Sequence, residues 1–417
     1  MTQTDLSLGL RTYLQAARAI PLIAPLVLRR RKAKGKELPD RWREKMAKPS
    51  KARPDGTLIW LHAVGLGEVL ALRGLITQMA DFAPDASFLV TSTTAKGAQA
   101  IAANLPPRTL HQFLPLDAPS YCARFLDHWK PDLCVWTDQD LWPAMAVAVA
   151  DRAIPQAIVA ARMDAASHQK RKRAEKLYRA VYDRMALIDA QDEATRDHLT
   201  DLGATDVQVR GSLKPTAPPL LCNPDDLEKV QSAVGRRFVW ITAPSHPADE
   251  AIAREAHKMV LERRPDALLI ISPRHVDRVL DLPPDTPRWS DGDVPRPDQS
   301  LWLADTTGEL GLFYRITHCA LIGGTHDDTE GHNPWEAIAL NTAVLHGPRT
   351  ANFTNDYARL DREHAAISVT SAKSLAAYLC ADLTANRVNA LEVLQTYHAN
   401  VAAIAADLLA LTCAADD

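Results

Sequence analysis

From Leu58 onward, short apolar runs of strand character alternate with stretches of helical spacing, and this alternation constrains the fold more than any other feature of the chain. The runs are "LIWLHAV" from Leu58, "SFLVTST" from Ser87, "HQFLPL" from His111, "LCVWT" from Leu133, "QAIVAAR" from Gln156 and "ALIDAQ" from Ala186, with helical stretches between them that include Glu68–Ala80, Tyr121–Trp129 and Gln169–Arg184. Strand and helix in alternation build βαβ units and therefore a parallel sheet. The series breaks at "LKPTAPPLLCNPDD" from Leu213, where prolines can continue neither a helix nor a central strand. It resumes with "FVWITAP" from Phe238, "ALLIISPR" from Ala267, "SLWLAD" from Ser300, "CALIGG" from Cys319 and "AVLHGP" from Ala343. A chain of 417 residues exceeds what one hydrophobic core serves. The expected fold class is α/β, with two Rossmann-like, doubly wound parallel-sheet domains facing a cleft. The expected segments are an N-terminal arm at 1–50, a first domain at 51–212, a linker at 213–223, a second domain at 224–385 and a C-terminal helix at 386–417.

Composition narrows the function classes. A net charge of −3 gives no basis for wholesale nucleic-acid binding, and 47% hydrophobic residues are ordinary for a globular protein. The six cysteines are scattered without a CxxC pair, which fits reduced thiols rather than a disulfide framework or structural zinc. The histidines show no HExxH spacing, so no metal site is expected. At the N-terminus, "AARAIPLIAPLVL" from Ala16 to Leu28 contains Arg18, Pro21 and Pro25 and is shorter than the roughly twenty residues a spanning helix needs. The basic cluster "RRRKAKGK", Arg29 to Lys36, follows this run instead of preceding it as in a secretory signal. The pair reads as an interfacial segment with a basic anchor on an anionic membrane surface, or as a tail packed on its own domain.

Ligands of open parallel sheets gather at the carboxyl ends of the strands. The first strand runs into "HAVGLGEV", where Gly65 and Gly67 permit a tight turn and Glu68 opens the next helix. Glu68 there is either a general base for a hydroxyl or a partner of the helix dipole. The fourth strand ends in "TDQDLWPA", which sets Asp138 and Asp140 ahead of a helix starting near Trp142 and Pro143, as helix caps or as acids of a site. "ALLIISPR" ends in Pro273 and Arg274, with His275 next, and "GSLK" places Lys214 at the crossing between domains. These cations suit a phosphate, or form a salt bridge between domains. "DTTGELGLFY" sets Thr307, Gly308 and Glu309 at a turn before a helix, whose backbone can pair with a nucleobase. The basic run "QKRKRAEK" from Gln169 reads as a solvated helix face, or as a contact for a phosphorylated acceptor.

The thirty residues from Cys319 to Pro348, "CALIGGTHDDTEGHNPWEAIALNTAVLHGP", compress strand, glycine turn, acidic loop, helix and strand into one crossover. Gly323 and Gly324 are expected to let backbone approach a ligand, and the helix beginning near Asn333 and Pro334 to aim its free N–H groups at the same space. Trp335 follows, and Glu336 in the first turn accepts from a ribose diol or complements the helix dipole.

In this order the motifs resemble those of the bacterial 3-deoxy-D-manno-octulosonic acid (Kdo) transferases, glycosyltransferases of GT-B architecture. "WLHAVGLGEVLALRGLI", "VTSTTAKG", "FLPLDAP", "KPDLCVWTDQDLWPA", "AARMDAAS", "GSLK", "SPRH", "DTTGELGLFY", "GGTHDDTEGHNPWEA" and "HGPRTANF" each look like a family segment, from about Trp60 to Phe353. The resemblance implies inverting transfer of Kdo from CMP-Kdo to a lipid A precursor at the cytoplasmic face of the inner membrane, in lipopolysaccharide biosynthesis. It implies Glu68 as general base, with Lys214 and an acid among Asp138 and Asp140 at transition-state positions. It implies Pro273, Arg274, Thr307, Gly308, Glu309, Asn333, Pro334, Trp335 and Glu336 at the CMP. It implies no metal cofactor, and the net charge of −3 implies no nucleic-acid partner. Three departures stand out: Asp138 and Asp140 where the family usually has glutamates, "SHPADE" from Ser245 where it has "THxGEE", and Ser212 in place of an asparagine. They leave open a diverged paralogue with another nucleotide sugar or acceptor, or a non-catalytic binder of lipid A precursor.

Overall fold

In both sheets every strand pairs in parallel with its neighbours, so each sheet has one edge at which all its strands end. The structure, a computed structural model, describes residues 6–102, 105–138 and 141–413. The chain up to Ala217 together with the segment from Tyr397 onward forms one compact unit, and Pro218–Thr396 forms a second.

The first unit contains β1 (Leu58–His62), β2 (Ser87–Ser92), β3 (Thr109–Phe113), β4 (Leu133–Thr137), β5 (Gln156–Ala161), β6 (Leu187–Ala190) and β7 (Val207–Val209). Their order in the sheet is β3-β2-β1-β4-β5-β6-β7. Helices cover both faces, which is why the strands are continuously apolar instead of alternating. In β1, Leu58 and Trp60 pack on one side, where the Trp60 ring lies 4.8 Å from Phe125 and 5.4 Å from Trp136. Ile59 and Leu61 face the other side and meet Leu72 and Leu75 together with Val401, Ile404 and Leu408 of the terminal helix.

The second unit contains β8 (Val239–Ser245), β9 (Leu268–Pro273), β10 (Leu301–Leu303), β11 (Cys319–Ile322), β12 (Ala343–His346) and β13 (Ala366–Ser368), in the order β10-β9-β8-β11-β12-β13. Trp240, Leu269, Ile271 and Leu321 form a core with Leu375 and Leu379. The α/β class expected from the sequence is the observed one. The edge strands β7 and β13, three residues each, lie outside the runs from which the sheets were read.

The helix expected over Gln169–Arg184 is instead two, Ala165–Lys172 and Glu175–Tyr182. Ala174 leaves helical geometry at φ −124° and ψ 33°. The break reorients the second helix so that Leu177 and Ala180 pack with Leu10, Leu14 and Val147. Tertiary packing thus overrides a charge-rich helical pattern.

Two N-terminal helices, Leu8–Ala17 and Ile20–Ala33, precede the first sheet. Ala24 and Leu28 are buried in the core, while Leu22 is 84% and Ile23 59% exposed, with Leu26 and Val27 exposed beside them. Among the described residues no helix is long and apolar enough to cross a membrane. After the basic run, Glu37 is buried and accepts from Arg31 and Lys45 at 2.6 Å each, and Trp42 and Met46 enter the core.

The first helix is tied to the domain through Asp117. This buried carboxylate accepts from the Tyr13 hydroxyl at 2.7 Å and from the backbone N–H groups of Ala144 and Met145 at 2.9 and 2.8 Å. The last two are free donors in the first turn of helix Pro143–Ala150, capped from outside the helix. Burial pushes the Asp117 pKa up, against the hydrogen bonds that pull it down. Asp117→Ala strands these donors in a dry environment and is expected to cost about 3 kcal/mol. Tyr13→Phe, which removes one of them, is expected to cost about 1 kcal/mol. Urea unfolding of the two variants against the parent chain checks both.

Candidate active site

In the first sheet, β1 and β4 lie side by side although the chain visits β2 and β3 between them. This is the switch point at which successive crossovers turn to opposite directions and a crevice opens at the strand ends. The two ends are stitched together by the Thr137 hydroxyl, which donates to the His62 carbonyl at 2.8 Å. Glu68 enters from the β1 side, in the first turn of helix Leu66–Phe82. Its carboxylate folds back over Gly65, where any β-carbon would collide with it. A side chain at Gly65 would have to displace the flexible end of Glu68 from this position, whereas Gly67 has open space around it. From the β4 side comes Asp138, held in the left-handed region at φ 59°, a conformation that Asp tolerates better than most residues and that recurs at functional sites.

Glu68, Asp138 and Lys214 line one small cavity with Thr137, Gln191 and Ser212. Its volume is about 20 Å³, room for a water or a hydroxyl group but not a sugar ring. Three of the four residues singled out as catalytic thus converge; Asp140 lies outside the described residues. Lys214 opens a turn, Lys214–Thr216, whose placement depends on Gly74. A β-carbon at Gly74 would run into the Thr216 carbonyl, so helix Leu66–Phe82 reaches this turn only without one. The sequence reading missed Gly74, since a lone glycine inside a helix carries no signal of what approaches it. Ser212, buried, accepts from the Lys214 backbone N–H at 3.2 Å.

In the second sheet the switch point falls between β8 and β11. Here Gly323 does not open space for a ligand, contrary to expectation: a β-carbon would strike the Pro244 carbonyl, so the glycine serves contact between the ends of β11 and β8. Asp249 then binds the following loop. It accepts from the backbone N–H of Gly324 at 2.7 Å and of His246 at 3.0 Å, and its other oxygen pairs with His326 Nδ1 at 3.1 Å. The loop returns through His332, whose Nε2 lies 2.9 Å from His246 Nε2. Neither His246, Asp249 nor His332 was read from the sequence as a site residue. "SHPADE" drew notice only as a departure, and the pairing of residues 86 positions apart leaves no local signal.

Pro273 is buried at the end of β9, and Arg274 beyond it is exposed and enters no salt bridge among the described residues. The helix expected from Asn333 and Pro334 is a single turn, Trp335–Ile338. The Asn333 side chain already accepts from the Trp335 backbone N–H at 3.1 Å and donates to Glu336 at 3.3 Å. The dipole of one turn is weak, so the Glu336 carboxylate and the Asn333 amide are the groups on offer, not a row of helical N–H groups. Trp335 packs inward and donates through Nε1 to Asp356 at 2.9 Å, and Pro334 is buried. Burial pushes the Glu336 carboxyl up, with Asn333 and Arg274 pulling the other way. Tyr314 is raised too, by burial and then by the Glu336 charge. Thr307 and Gly308 are exposed at the turn before helix Leu310–Ile316, while Glu309 accepts from Trp289 Nε1 and the Thr306 hydroxyl. Among the described residues no group of three or more His, Cys, Asp or Glu side chains is placed to hold a metal ion.

Comparison with known proteins places these features in a family context. The family model for 3-deoxy-D-manno-octulosonic-acid transferase (kdotransferase) matches residues 40–217. A probable mitochondrial 3-deoxy-D-manno-octulosonic acid transferase of Arabidopsis thaliana is 30% identical over 355 residues, covering 80% of this chain and 79% of the relative. The 3-deoxy-D-manno-octulosonic acid transferase of Haemophilus influenzae is 30% identical over 326 residues, 75% of this chain and 76% of the relative. Among solved structures, a UDP-GlcNAc 2-epimerase from Neisseria meningitidis superposes with TM-score 0.54 at 14% identity, over 85% of this chain and 99% of that one. A glycosyltransferase from Rickettsia africae gives 0.53 at 11% identity, over 85% and 99%. These last two likenesses are of fold alone.

Gly74→Ala isolates the packing beneath Lys214. In an ordinary helix interior this exchange stabilises by about 1 kcal/mol. Here it is expected to destabilise and to lower turnover at least about tenfold by displacing Lys214, read by thermal unfolding and by steady-state kinetics of sugar transfer.

Proposed function

Because the chain belongs to the 3-deoxy-D-manno-octulosonic acid transferase family, we propose that it moves Kdo from CMP-Kdo to a lipid A precursor, with inversion at the anomeric carbon. The observation that carries this reading is the convergence of Glu68, Asp138 and Lys214 on one hydroxyl-sized cavity at the β1/β4 switch point.

In this account Glu68 takes the proton of the acceptor hydroxyl as its oxygen attacks the anomeric carbon, with Gly65 leaving room for the carboxylate over the turn. Lys214 and Asp138 set the local charge around that hydroxyl. In the second unit, Glu336 accepts from the ribose diol, steadied by Asn333, while Thr307, Gly308 and the backbone near Glu309 meet the base. Arg274, which has no carboxylate partner among the described residues, takes the phosphate. Pro273, Pro334 and Trp335 contribute backbone and shape, since their side chains are buried. A single phosphodiester carries one negative charge, which Arg and Lys can offset. The protein works at the cytoplasmic face of the inner membrane, with the exposed face of Leu22, Ile23, Leu26 and Val27 in the lipid interface and Arg29–Lys36 on anionic headgroups.

Glu68→Ala is expected to lower transfer at least about a thousandfold, within the range of general-base loss, while CMP binding by calorimetry stays within about twofold, because the nucleotide residues belong to the other unit. Undiminished turnover would remove the mechanism. Transfer is also expected to continue in EDTA; loss on chelation, restored by a divalent ion, would contradict the assignment of the phosphate charge to Arg274.

A further inference from the structure

The two imidazoles at the β8/β11 switch point are not accounted for by the reading above. His246 sits at the N-terminus of helix Pro247–Leu261 and His332 in the loop after β11. Their rings stack at 5.1 Å and 17°, with Nε2 to Nε2 at 2.9 Å. Two ring nitrogens at that distance need one proton and one lone pair between them. On its other side, His246 Nδ1 lies 3.5 Å from the Thr329 hydroxyl and 3.7 Å from the Asp327 carboxylate. His275, from the loop after β9, meets the His246 ring edge-on at 6.3 Å. The charges acting on His332 are those of His246, Arg274, Asp249 and Asp327, and its carbonyl accepts from the Tyr357 hydroxyl at 2.9 Å.

We propose that His246 and His332 act as a single proton-binding unit that gains its positive charge when an anionic phosphodiester settles beside Arg274, and so offers that charge to the leaving phosphate. The proposal rests on the donor assignment made above and deepens it. With no anion present, burial and then the neighbouring charges of His246 and Arg274 push the His332 pKa down to about 4. At neutral pH His332 is then neutral, and one ring of the pair donates to the other. An anion against Arg274 cancels the repelling charge that this guanidinium sets on His332, and the pair's affinity for a proton rises. By linkage, ligand binding takes up a proton between the lower and the raised pKa, and affinity increases as pH falls through that interval. During transfer the bond from the anomeric carbon to the phosphate oxygen breaks with its electron pair on that oxygen, which receives the proton of the pair. The acceptor proton goes to Glu68, and solvent recharges the histidines.

The test is calorimetry on the full chain at pH 6.5 and 5.5 in buffers of different ionisation enthalpy, with cytidine 5′-methyl phosphate as the probe. As a phosphodiester it has no ionisation of its own near neutrality. Binding by the unaltered protein is expected to take up a fraction of a proton that grows as the pH is lowered from 6.5 to 5.5. His332→Asn keeps a donor toward His246 and is expected to abolish that uptake, while binding weakens no more than about tenfold. His246→Gln, altering the other ring, is expected to do the same. Binding without uptake, or uptake that survives in both variants, would overturn the proposal and leave the donor assignment standing. Failure of the unaltered protein to bind the probe at all would overturn both.

Discussion

Parallel pairing is the constraint from which the remaining features follow. A parallel strand cannot turn directly into its neighbour; it needs a crossover, so every strand end is released on the same edge as the next. In each sheet the order of strands reverses once, between β1 and β4 and between β8 and β11. Clusters of polar side chains stand at those two places: Glu68 and Asp138 at one, His246 and His332 at the other. No separate explanation is needed for why residues far apart in the chain share a pocket.

Strand order alone does not fix side-chain positions to the accuracy chemistry demands. That is done by close approach at particular glycines and by buried carboxylates that bind loops. Gly74 admits the Thr216 carbonyl and so sets the Lys214 turn, and Gly323 admits the Pro244 carbonyl and joins the ends of β11 and β8. Asp249 ties the helix after β8 to the turn after β11 through Gly324, and Asp117 ties the first helix to the start of helix Pro143–Ala150. Both carboxylates are buried, and each contact is short. Small displacements there shift a reacting group by distances that matter.

The fold was legible because it rests on repeated local patterns. Apolar runs bounded by turn residues gave the long strands of both sheets, and the proline cluster after Leu213 fell next to the change of unit at Ala217. Short edge strands such as β7 and β13 bury little and leave only a faint pattern. The division of the expected Gln169–Arg184 helix depends on where Leu177 and Ala180 find partners, which no local spacing encodes. For the candidate site, Glu68, Arg274 and Lys214 stood out by position and charge, and the roles proposed for them came from the family resemblance. What could not be named was their support. The role of Gly323 was misassigned because a glycine reports that something comes close without saying whether it is ligand or chain. The histidine pair was invisible because its members come from different crossovers.

The central claim is that this glycosyltransferase joins a Kdo unit to a lipid acceptor, using a carboxylate of the first unit and a nucleotide site on the second. The most direct measurement is the mass of the acceptor after purified protein is incubated with CMP-Kdo and a tetra-acylated lipid A precursor. The account expects an acceptor heavier by whole Kdo units, with one CMP released for each. An unchanged acceptor mass, with or without release of CMP, would contradict it.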